Sequence, residues 1–217
     1  MPLMLSSVSN NHRWVRAGLA IAALVLFVLP AQARKKDPVF AMGADDPVLR
    51  GRIAALSPTI DPEEAQRVAE IAYTTGRDLK KEWKVVWPPG LQNFLVHTGQ
   101  RKGGLCFQFA ERLLLRLIDQ KWETVEFHWA ESFERTAGEH NVIVVTAKGQ
   151  SFSEGIFLDN WRYGGKLVWG FVPEDPHYNW HENKSHFQKV VNRRPVTNPS
   201  PKPSASPSPA AADTETR

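Results

Sequence analysis

The sequence predicts an α+β fold in which helices come first and a small, largely antiparallel sheet follows. The first observation is a pair of segments, starting near Asp61 and near Cys106, whose apolar residues recur every three to four positions. The second is a change, after about residue 120, to four short runs of strand character joined by short connections. Helices grouped before closely linked strands are typical of the α+β class, and short links favour antiparallel pairing.

The first predicted helix has a clear start. Asp61 can cap it, Pro62 suits its first position, and Glu64 stands three residues after the cap. We expect this helix to reach the region of Gly76 or one turn further. A shorter helix is expected over residues 91–96, after a proline-rich break.

The second strong helix starts at Cys106, the only cysteine of the chain. Its apolar face is completed by residues at helical spacing, Ala110, Leu113, Leu114 and Leu117. Gly103 and Gly104 lie in the loop that leads into it. Because these two residues carry no side chain, we expect that a substrate backbone can approach the sulfur on that side.

The four predicted strands cover residues 125–129, 141–147, 155–161 and 166–172. In the first, three apolar residues alternate with Glu126 and His128, which is the pattern of a half-buried strand. A turn at Tyr163-Gly164-Gly165 precedes the last.

The first 33 residues have the pattern of a signal peptide. A basic flank containing Arg13 and Arg16 precedes an apolar run from Ala17 to Leu29, and a small-x-small motif ends at Ala33. The apolar run of 13 residues is shorter than the roughly 17 to 25 residues of a membrane-spanning helix. We therefore expect cleavage after Ala33, a periplasmic or secreted protein, and no stable membrane anchor after cleavage. An uncleaved anchor is the alternative.

The remainder of the chain divides into three predicted parts. An N-terminal extension covers 34–60, the folded domain covers 61–191, and a tail rich in Pro, Ser and Ala covers 192–217. The tail contains almost no apolar residue larger than alanine, so it cannot bury enough surface to offset its chain entropy. We predict that it is disordered.

Charge and cysteine content limit the partners. The whole chain carries +4, and removal of residues 1–33 leaves +2 because Arg13 and Arg16 are lost with no acidic residue. The basic residues are scattered, so we expect no nucleic-acid partner. A lone cysteine cannot form an intramolecular disulfide, and in an oxidising compartment it is expected to be either buried or used.

Cys106 fits the position of a nucleophile. A thiol in the first turn of a helix lies at the positive end of the helix dipole, beside N–H groups without helical partners, which favours the thiolate form. Arg101 and Lys102 stand just upstream and act in the same direction. A buried cysteine on an apolar helix face is the structural alternative, and the helix alone leaves it open.

A histidine and an aspartate stand where a triad would need them. His140 comes at the start of the second predicted strand, and Asp159 follows the apolar residues of the third. If these strands form an antiparallel pair, the start of one faces the end of the other, so the two side chains become neighbours. A base and its orienting carboxylate require that geometry.

These residues resemble the transglutaminase-like superfamily of papain-like cysteine enzymes. Residues 104–110, GLCFQFA, resemble its G-x-C-x-x-x-A signature, and 158–160, LDN, resemble the L-D-N of bacterial transglutaminase-like cysteine proteinases. The similarity covers roughly residues 90–172. It implies a transglutaminase-like or papain-like core with Cys106 as nucleophile, His140 as base and Asp159 as orienting acid.

The chain also departs from this family. Acidic residues that often flank the cysteine of the bacterial proteinases are replaced by Leu105, Phe107, Gln108 and Phe109. We therefore expect no calcium requirement, and no cofactor or metal. Val142 stands where many members have an aromatic residue two places after the histidine.

Two related families fit less well. Papain proper places its histidine about 130 to 150 residues after the cysteine, and only 111 residues follow Cys106 here. Arylamine N-acetyltransferases share the order of the triad and an R-G-G-x-C signature that 101–106 partly resembles. Their acetyl-CoA is not expected outside the cytoplasm.

Further site candidates are assigned by position. Gln100, six residues before Cys106, resembles the papain-type glutamine that donates to the oxyanion, and the N–H of Cys106 is a second candidate donor. Trp161 and Trp169 flank the predicted site and are candidates for lining a substrate cleft.

A loop metal site is a weaker alternative. Its candidate ligands are His177, His181 and His186, but the last two are five residues apart, so they cannot share a helix face as in the zinc protease motif. No well-placed carboxylate or thiol completes the set.

Two functions follow from the sequence. The first is an exported cysteine-dependent amide hydrolase or acyltransferase, of the peptidase or amidase type, that acts on a protein or peptide substrate, including one of the cell envelope. The second is an idle transglutaminase-like binding module for an envelope polymer or a protein partner.

Overall fold

A computed structural model describes residues 39–40, 43 and 46–193 of the chain. The described part is α+β, as predicted, with helices packed on an antiparallel sheet. Its helices are α1 (Pro47–Ala54), α2 (Pro62–Glu82), α3 (Pro89–His97), α4 (Cys106–Ile118) and α5 (Lys184–Asn192). Its strands are β1 (Val39–Phe40), β2 (Val125–Ser132), β3 (His140–Ala147), β4 (Ile156–Asp159), β5 (Val168–Phe171) and β6 (His181–Glu182).

The predicted signal peptide (1–33), its cleavage site and the tail from residue 194 lie outside the described residues. Part of the predicted N-terminal extension is described, and it belongs to the core. Leu49 and Ile53 of α1 are completely buried in the main hydrophobic cluster with residues of α2 and α4. The packed region therefore begins before residue 61.

Helix α2 starts as predicted, because the Asp61 side chain accepts a hydrogen bond from the N–H of Glu63 at 2.8 Å. Glu64 is buried and reaches a different element. Its carboxylate accepts from the N–H of Glu123 at 2.8 Å and from the N–H and hydroxyl of Thr124 at 2.9 and 2.6 Å. It thereby ties α2 to the segment before β2.

The helix runs past Gly76 to Glu82, further than predicted. Gly76 does not end it, because this glycine serves a packing contact. A Cβ added there would meet the side chain of Asn160 and the carbonyl oxygen of Gly165. The missing side chain lets the loop after β4 lie directly against the helix, and that loop carries part of the site.

The strands form one antiparallel sheet in the order β1-β5-β4-β3-β2-β6. The four predicted strands are present, and their ends shift by a few residues. The two-residue edge strands β1 and β6 were not predicted, because two residues are too short to show alternation.

The sheet separates two apolar clusters. On one face Trp129, Ile143 and Leu158 pack against the helices. On the other face Val142, Phe157 and Trp180 form a smaller cluster. Alternation along β3 therefore places His140 and Val142 on the face away from the helices.

Helix α3 confirms the predicted short helix and supports the loop before Cys106. Its buried residue is Gln92, whose Oε1 accepts from the N–H of Val86 at 3.0 Å and whose Nε2 donates to the carbonyl of Gly103 at 2.8 Å. Within the described ranges, no helix is both long and apolar enough to span a membrane.

Candidate active site

Cys106 is the first residue of α4, as the sequence predicted. Gln108 folds back so that its Oε1 accepts from the N–H groups of Gly104 and Leu105 at 2.9 and 3.0 Å, which fixes the start of the helix. The N–H groups of Cys106 and Phe107 make no hydrogen bond with any residue in 39–40, 43 and 46–193. The half-buried thiol therefore lies beside two free donors at the positive end of the helix dipole.

The two glycines before Cys106 are required for a reason that the sequence did not reveal. A Cβ on Gly103 would lie 2.7 Å from the Trp83 ring, and one on Gly104 would lie 2.5 Å from Nε2 of Gln92. Gly104 also has a φ of +119°, which a residue with a side chain rarely adopts. Packing from within the protein thus excludes side chains here.

His140 and Asp159 are neighbours across β3 and β4, as the strand argument predicted. The pairing of Ile143 with Leu158 and of Val144 with Phe157 brings the start of β3 to the end of β4. Nε2 of His140 lies 2.7 Å from Oδ2 of Asp159, and both side chains are at most 1% exposed. The imidazole donates from Nε2 to the carboxylate.

The contact between His140 and Asp159 favours the charged form of both side chains. Burial lowers the pKa of His140, but the Asp159 carboxylate and Cys106 together outweigh it and raise that pKa to about 9. Burial likewise raises the pKa of Asp159, but His140 and Arg162 outweigh it and hold that pKa well below its ordinary value. At neutral pH the geometry therefore favours an imidazolium beside a carboxylate.

Nδ1, the other imidazole nitrogen of His140, is not used by Asp159 and is available to Cys106. Nδ1 of His140 is buried and makes no hydrogen bond with a described residue. Cys106 nevertheless raises the pKa of His140, by a hydrogen-bonding contribution and by its charge, so the thiol lies close to the ring. The geometry at Nδ1 falls short of a well-aligned hydrogen bond, as is common in substrate-free active sites.

Two groups hold the sulfur. The Cys106 thiol donates to the carbonyl oxygen of Glu139 over 3.6 Å. Nδ2 of Asn141 donates to Sγ over 3.7 Å, and it also donates to Oε1 of Glu139 over 3.3 Å. Asn141 was not among the predicted site residues, although it directly follows His140.

A buried ion network behind Asp159 was also missed. Nε of Arg162 donates to Oδ2 of Asp159 at 2.9 Å, and the guanidinium donates to both carboxylate oxygens of Asp175 at 2.6 and 3.3 Å. The backbone N–H groups of Trp161 and Arg162 donate to Oδ1 of Asp159 at 2.9 and 3.1 Å. No local spacing connects residues 162 and 175, so no sequence signal could have found this pair.

Aromatic rings enclose the imidazole. Trp161 and Tyr178 both lie 4.7 Å from His140 between ring centroids, and Trp180 lies 5.4 Å away. Trp161 therefore stands beside the triad, as predicted. Trp169 is 5% exposed and belongs to the main core on the helix side of the sheet, so it is not placed to line a cleft.

Gln100 is not turned toward the triad. Its side chain is exposed, and Nε2 donates to the hydroxyl of Thr98 at 3.0 Å. Gln100 was assigned as an oxyanion donor from its distance to Cys106 along the chain. In the turn after α3 its side chain bonds Thr98, so that sequence distance does not place it beside the sulfur.

Two open cavities adjoin the site, with volumes of about 510 and 350 Å³. Both are lined by Phe133, His177 and Tyr178. The larger one is also lined by Thr136, Gly138, Arg162 and Tyr163. Tyr178 forms a common wall, since its ring also contacts His140.

The three histidines of the alternative metal site are dispersed among other contacts. His177 lines the cavities, Nε2 of His181 lies 3.4 Å from Nδ2 of Asn179, and His186 stacks on Trp129 with ring centroids 4.1 Å apart. No group of three or more histidine, cysteine or carboxylate side chains suited to a metal ion occurs among the residues that the structure describes.

Searches of protein-family models, of curated proteins and of solved structures found no match to this chain.

Proposed function

We propose that this protein is an exported cysteine-dependent amide hydrolase or acyltransferase, of the peptidase or amidase type, with a transglutaminase-like core. The observation that carries the proposal is the buried His140–Asp159 hydrogen bond of 2.7 Å beside a thiol at a helix start. The sequence pattern of residues 1–33 supports export. Cys106 is the nucleophile, His140 the base and Asp159 the orienting acid.

The proposed reaction passes through a thioester. The Cys106 thiolate attacks the carbonyl carbon of an amide, and the carbonyl π electrons move to the oxygen. The free N–H groups of Cys106 and Phe107 are the candidate donors to that oxyanion. The imidazolium of His140 then protonates the leaving amine, the C–N bond breaks, and the acyl group stays on sulfur.

Deacylation returns the enzyme to its starting state. The neutral imidazole takes a proton from water, the resulting hydroxide attacks the thioester carbon, and the carboxylic acid leaves as the C–S bond breaks. His140 is then an imidazolium beside a thiolate again. An amine in place of water would give transamidation with the same residues, and hydrolysis is the simpler proposal because it needs no second substrate site.

The substrate is proposed to be a protein or peptide, including one of the cell envelope. The cavities lined by Phe133 and Tyr178 offer aromatic contact surface next to His140. An extended chain lying there would present its amide to Cys106, where the first turn of α4 meets the residue before β3.

Alkylation of the thiol tests the proposal without a known substrate. Because Cys106 is the only cysteine, iodoacetamide reports on one site in the mature protein. We expect fast labelling that persists from pH 8 down to about pH 5, and loss of the acidic labelling in His140→Ala. Slow labelling at acidic pH in the unmodified protein would exclude the activated nucleophile.

The second candidate is a binding module in which the triad is idle. One observation favours it, the exposed apolar side chains around α3, where Trp87 is 64%, Phe94 58% and Leu91 46% exposed. Such a module would label slowly with iodoacetamide and would retain partner binding in Cys106→Ala. An active enzyme would instead label fast and lose turnover in Cys106→Ala.

A further inference from the structure

The carboxylate that orients His140 is itself held by a second, fully buried ion pair. Arg162 stands between Asp159 and Asp175, with its side chain 9% exposed and both carboxylates 0% exposed. Its Nε contacts Asp159 at 2.9 Å, and its Nη2 contacts Asp175 at 2.6 Å. A buried arrangement of this kind is strongly constrained, because any unpaired charge would be costly there.

The surroundings keep Arg162 in place. The Tyr178 and Phe157 rings lie 4.6 and 5.4 Å from its Cζ. Asp175 also accepts from the indole N–H of Trp180 at 3.1 Å and from the N–H of His177 at 3.0 Å. The guanidinium plane therefore has one position, and it delivers one donor to Asp159 and two donors to Asp175.

The number of charges in this cluster decides the state of His140. Asp159 and Asp175 supply two negative charges and Arg162 supplies one positive charge, so one negative charge is left over. An imidazolium at His140 cancels it. Without Asp175, the charge of Arg162 would cancel that of Asp159, and a cationic His140 would have no counter-charge behind it.

We propose that Arg162 and Asp175 are positioning residues of the triad, which orient Asp159 and leave the buried cluster with the one negative charge that holds His140 as an imidazolium. This inference rests on the proposed function, since an imidazolium before substrate binding is what pairs with a thiolate nucleophile.

The groups around His140 must be considered in any titration. Cys106 on α4 and Asp159 at the end of β4 act on the ring directly, and Tyr178 before β6 packs against it. The remaining groups are reached through those side chains: Arg162 in the loop after β4 contacts Asp159, Asp175 before β6 contacts Arg162, and Glu139 before β3 contacts Cys106. The pKa of Tyr178 is raised to about 12, mainly by burial, so its hydroxyl remains neutral over the pH range of the test.

The test measures the charge of His140 directly. Histidine labelled with ¹⁵N is introduced, and the ring nitrogen signals of His140, assigned by their loss in His140→Ala, are followed from pH 5 to 10.5, so that the range includes a midpoint near 9. We expect both nitrogens to carry protons at pH 7, in the unmodified protein and in Cys106→Ala, where no thiolate contributes. A neutral ring at pH 7 in Cys106→Ala would overturn the proposal.

Asp175→Asn removes one charge and keeps nearly the same shape. We expect the midpoint of the His140 titration to fall by about one pH unit, in line with the effect of a nearby buried charge. Asp78→Asn is the matched control, because Asp78 is an exposed carboxylate paired with Arg116 at 3.1 Å. It should leave the midpoint unchanged.

Each outcome either supports or overturns the proposal. A His140 titration midpoint in Asp175→Asn equal to that in Asp78→Asn would overturn the proposal. If Asp175→Asn does not fold, the state of His140 at pH 7 in Cys106→Ala decides alone. Slow labelling of Cys106 in a protein whose His140 is an imidazolium would refute the proposed function and leave the charge assignment standing, so the two failures are distinguishable.

Discussion

The side-chain amide of Asn141 directs its Nδ2 at the sulfur of Cys106, over 3.7 Å. The orientation of this amide is fixed, because its Oδ1 accepts a hydrogen bond from the indole N–H of Trp129 at 3.0 Å. A donor held in this way stabilises negative charge on the sulfur without needing to rearrange. Asn141 thus joins the core residue Trp129 to the proposed nucleophile.

Replacing Asn141 should slow the alkylation of Cys106. We expect Asn141→Ala to label with iodoacetamide ~10-fold more slowly at pH 6, because a hydrogen bond to a charged group is lost. Asn141→Asp should be slower still, since a carboxylate cannot donate and repels a thiolate. Trp129→Phe, which frees the amide to rotate, should show a smaller loss. Wild-type rates in all three variants would remove Asn141 from the site.

Replacing Cys106 should abolish activity and leave folding intact. Cys106 is half-buried, and its sulfur contacts to Glu139 and Asn141 are long, at 3.6 and 3.7 Å. We expect Cys106→Ala to abolish turnover of any amide substrate while the free energy of unfolding changes by less than about 1 kcal/mol. Urea denaturation and an assay on the same preparation check both parts. Turnover that survives the substitution would disprove the triad.

The pH dependence of stability should reveal the His140–Asp159 pair. The pKa of His140 is raised from 6.5 to about 9 in the folded protein. Its stabilising contribution is therefore complete below about pH 6.5 and is lost as the pH rises through about 9. The pKa of Asp159 is lowered from 3.8, so its contribution is complete above about pH 3.8 and is lost as the pH falls further.

We therefore expect the free energy of unfolding to fall between about pH 6.5 and 9, by on the order of 3 kcal/mol for the histidine. Urea midpoints measured across this range test it. In Asp159→Asn the decline should flatten, because the charge that raises the pKa of His140 is gone. An equally steep decline in Asp159→Asn would assign it to other groups.

The loop before Cys106 should not accept a side chain. Gly104→Ala places a Cβ 2.5 Å from Gln92 at a φ of +119°. We expect a loss of ~1 to 3 kcal/mol of stability from backbone strain and displacement of Gln92, together with slower labelling of Cys106, because Gln92 holds the Gly103 carbonyl. Thermal unfolding and the labelling assay measure the two effects.

Gly149→Ala is the control for backbone strain. Gly149 has a φ of +76° with nothing within 4 Å of an added Cβ, and it follows the end of β3 away from His140. It should lose stability from strain alone and keep the labelling rate. Equal labelling in Gly104→Ala and Gly149→Ala would show that the Gly104 loop does not position the sulfur.

Several site features were predictable because they are local or follow from strand order. Asp61 and Pro62 mark the start of α2, and the helical spacing after Cys106 marks α4. Antiparallel pairing of consecutive strands then suffices to bring His140 to Asp159, since it relates the start of one strand to the end of the next. These predictions involve only elements that are consecutive along the chain.

Other features failed because sequence distance does not report where a side chain turns. Gln100 stands six residues before Cys106 but turns to Thr98. Gly76 has the composition of a helix end, yet α2 continues through it because Asn160 and Gly165 pack there. Trp169 lies on a strand next to the site, but it packs on the helix side of the sheet.

The sequence by itself determined the order of helices and strands, the helix start at Cys106 and the approach of His140 to Asp159, because periodicity, capping and strand alternation are short-range properties of the chain. Only the tertiary structure decided what stands behind and beside the triad: Asn141 aimed at the sulfur, and Arg162 bridging to Asp175. Those contacts depend on how separate segments fold over one another, and burial gives their charges an effect that residue spacing does not encode.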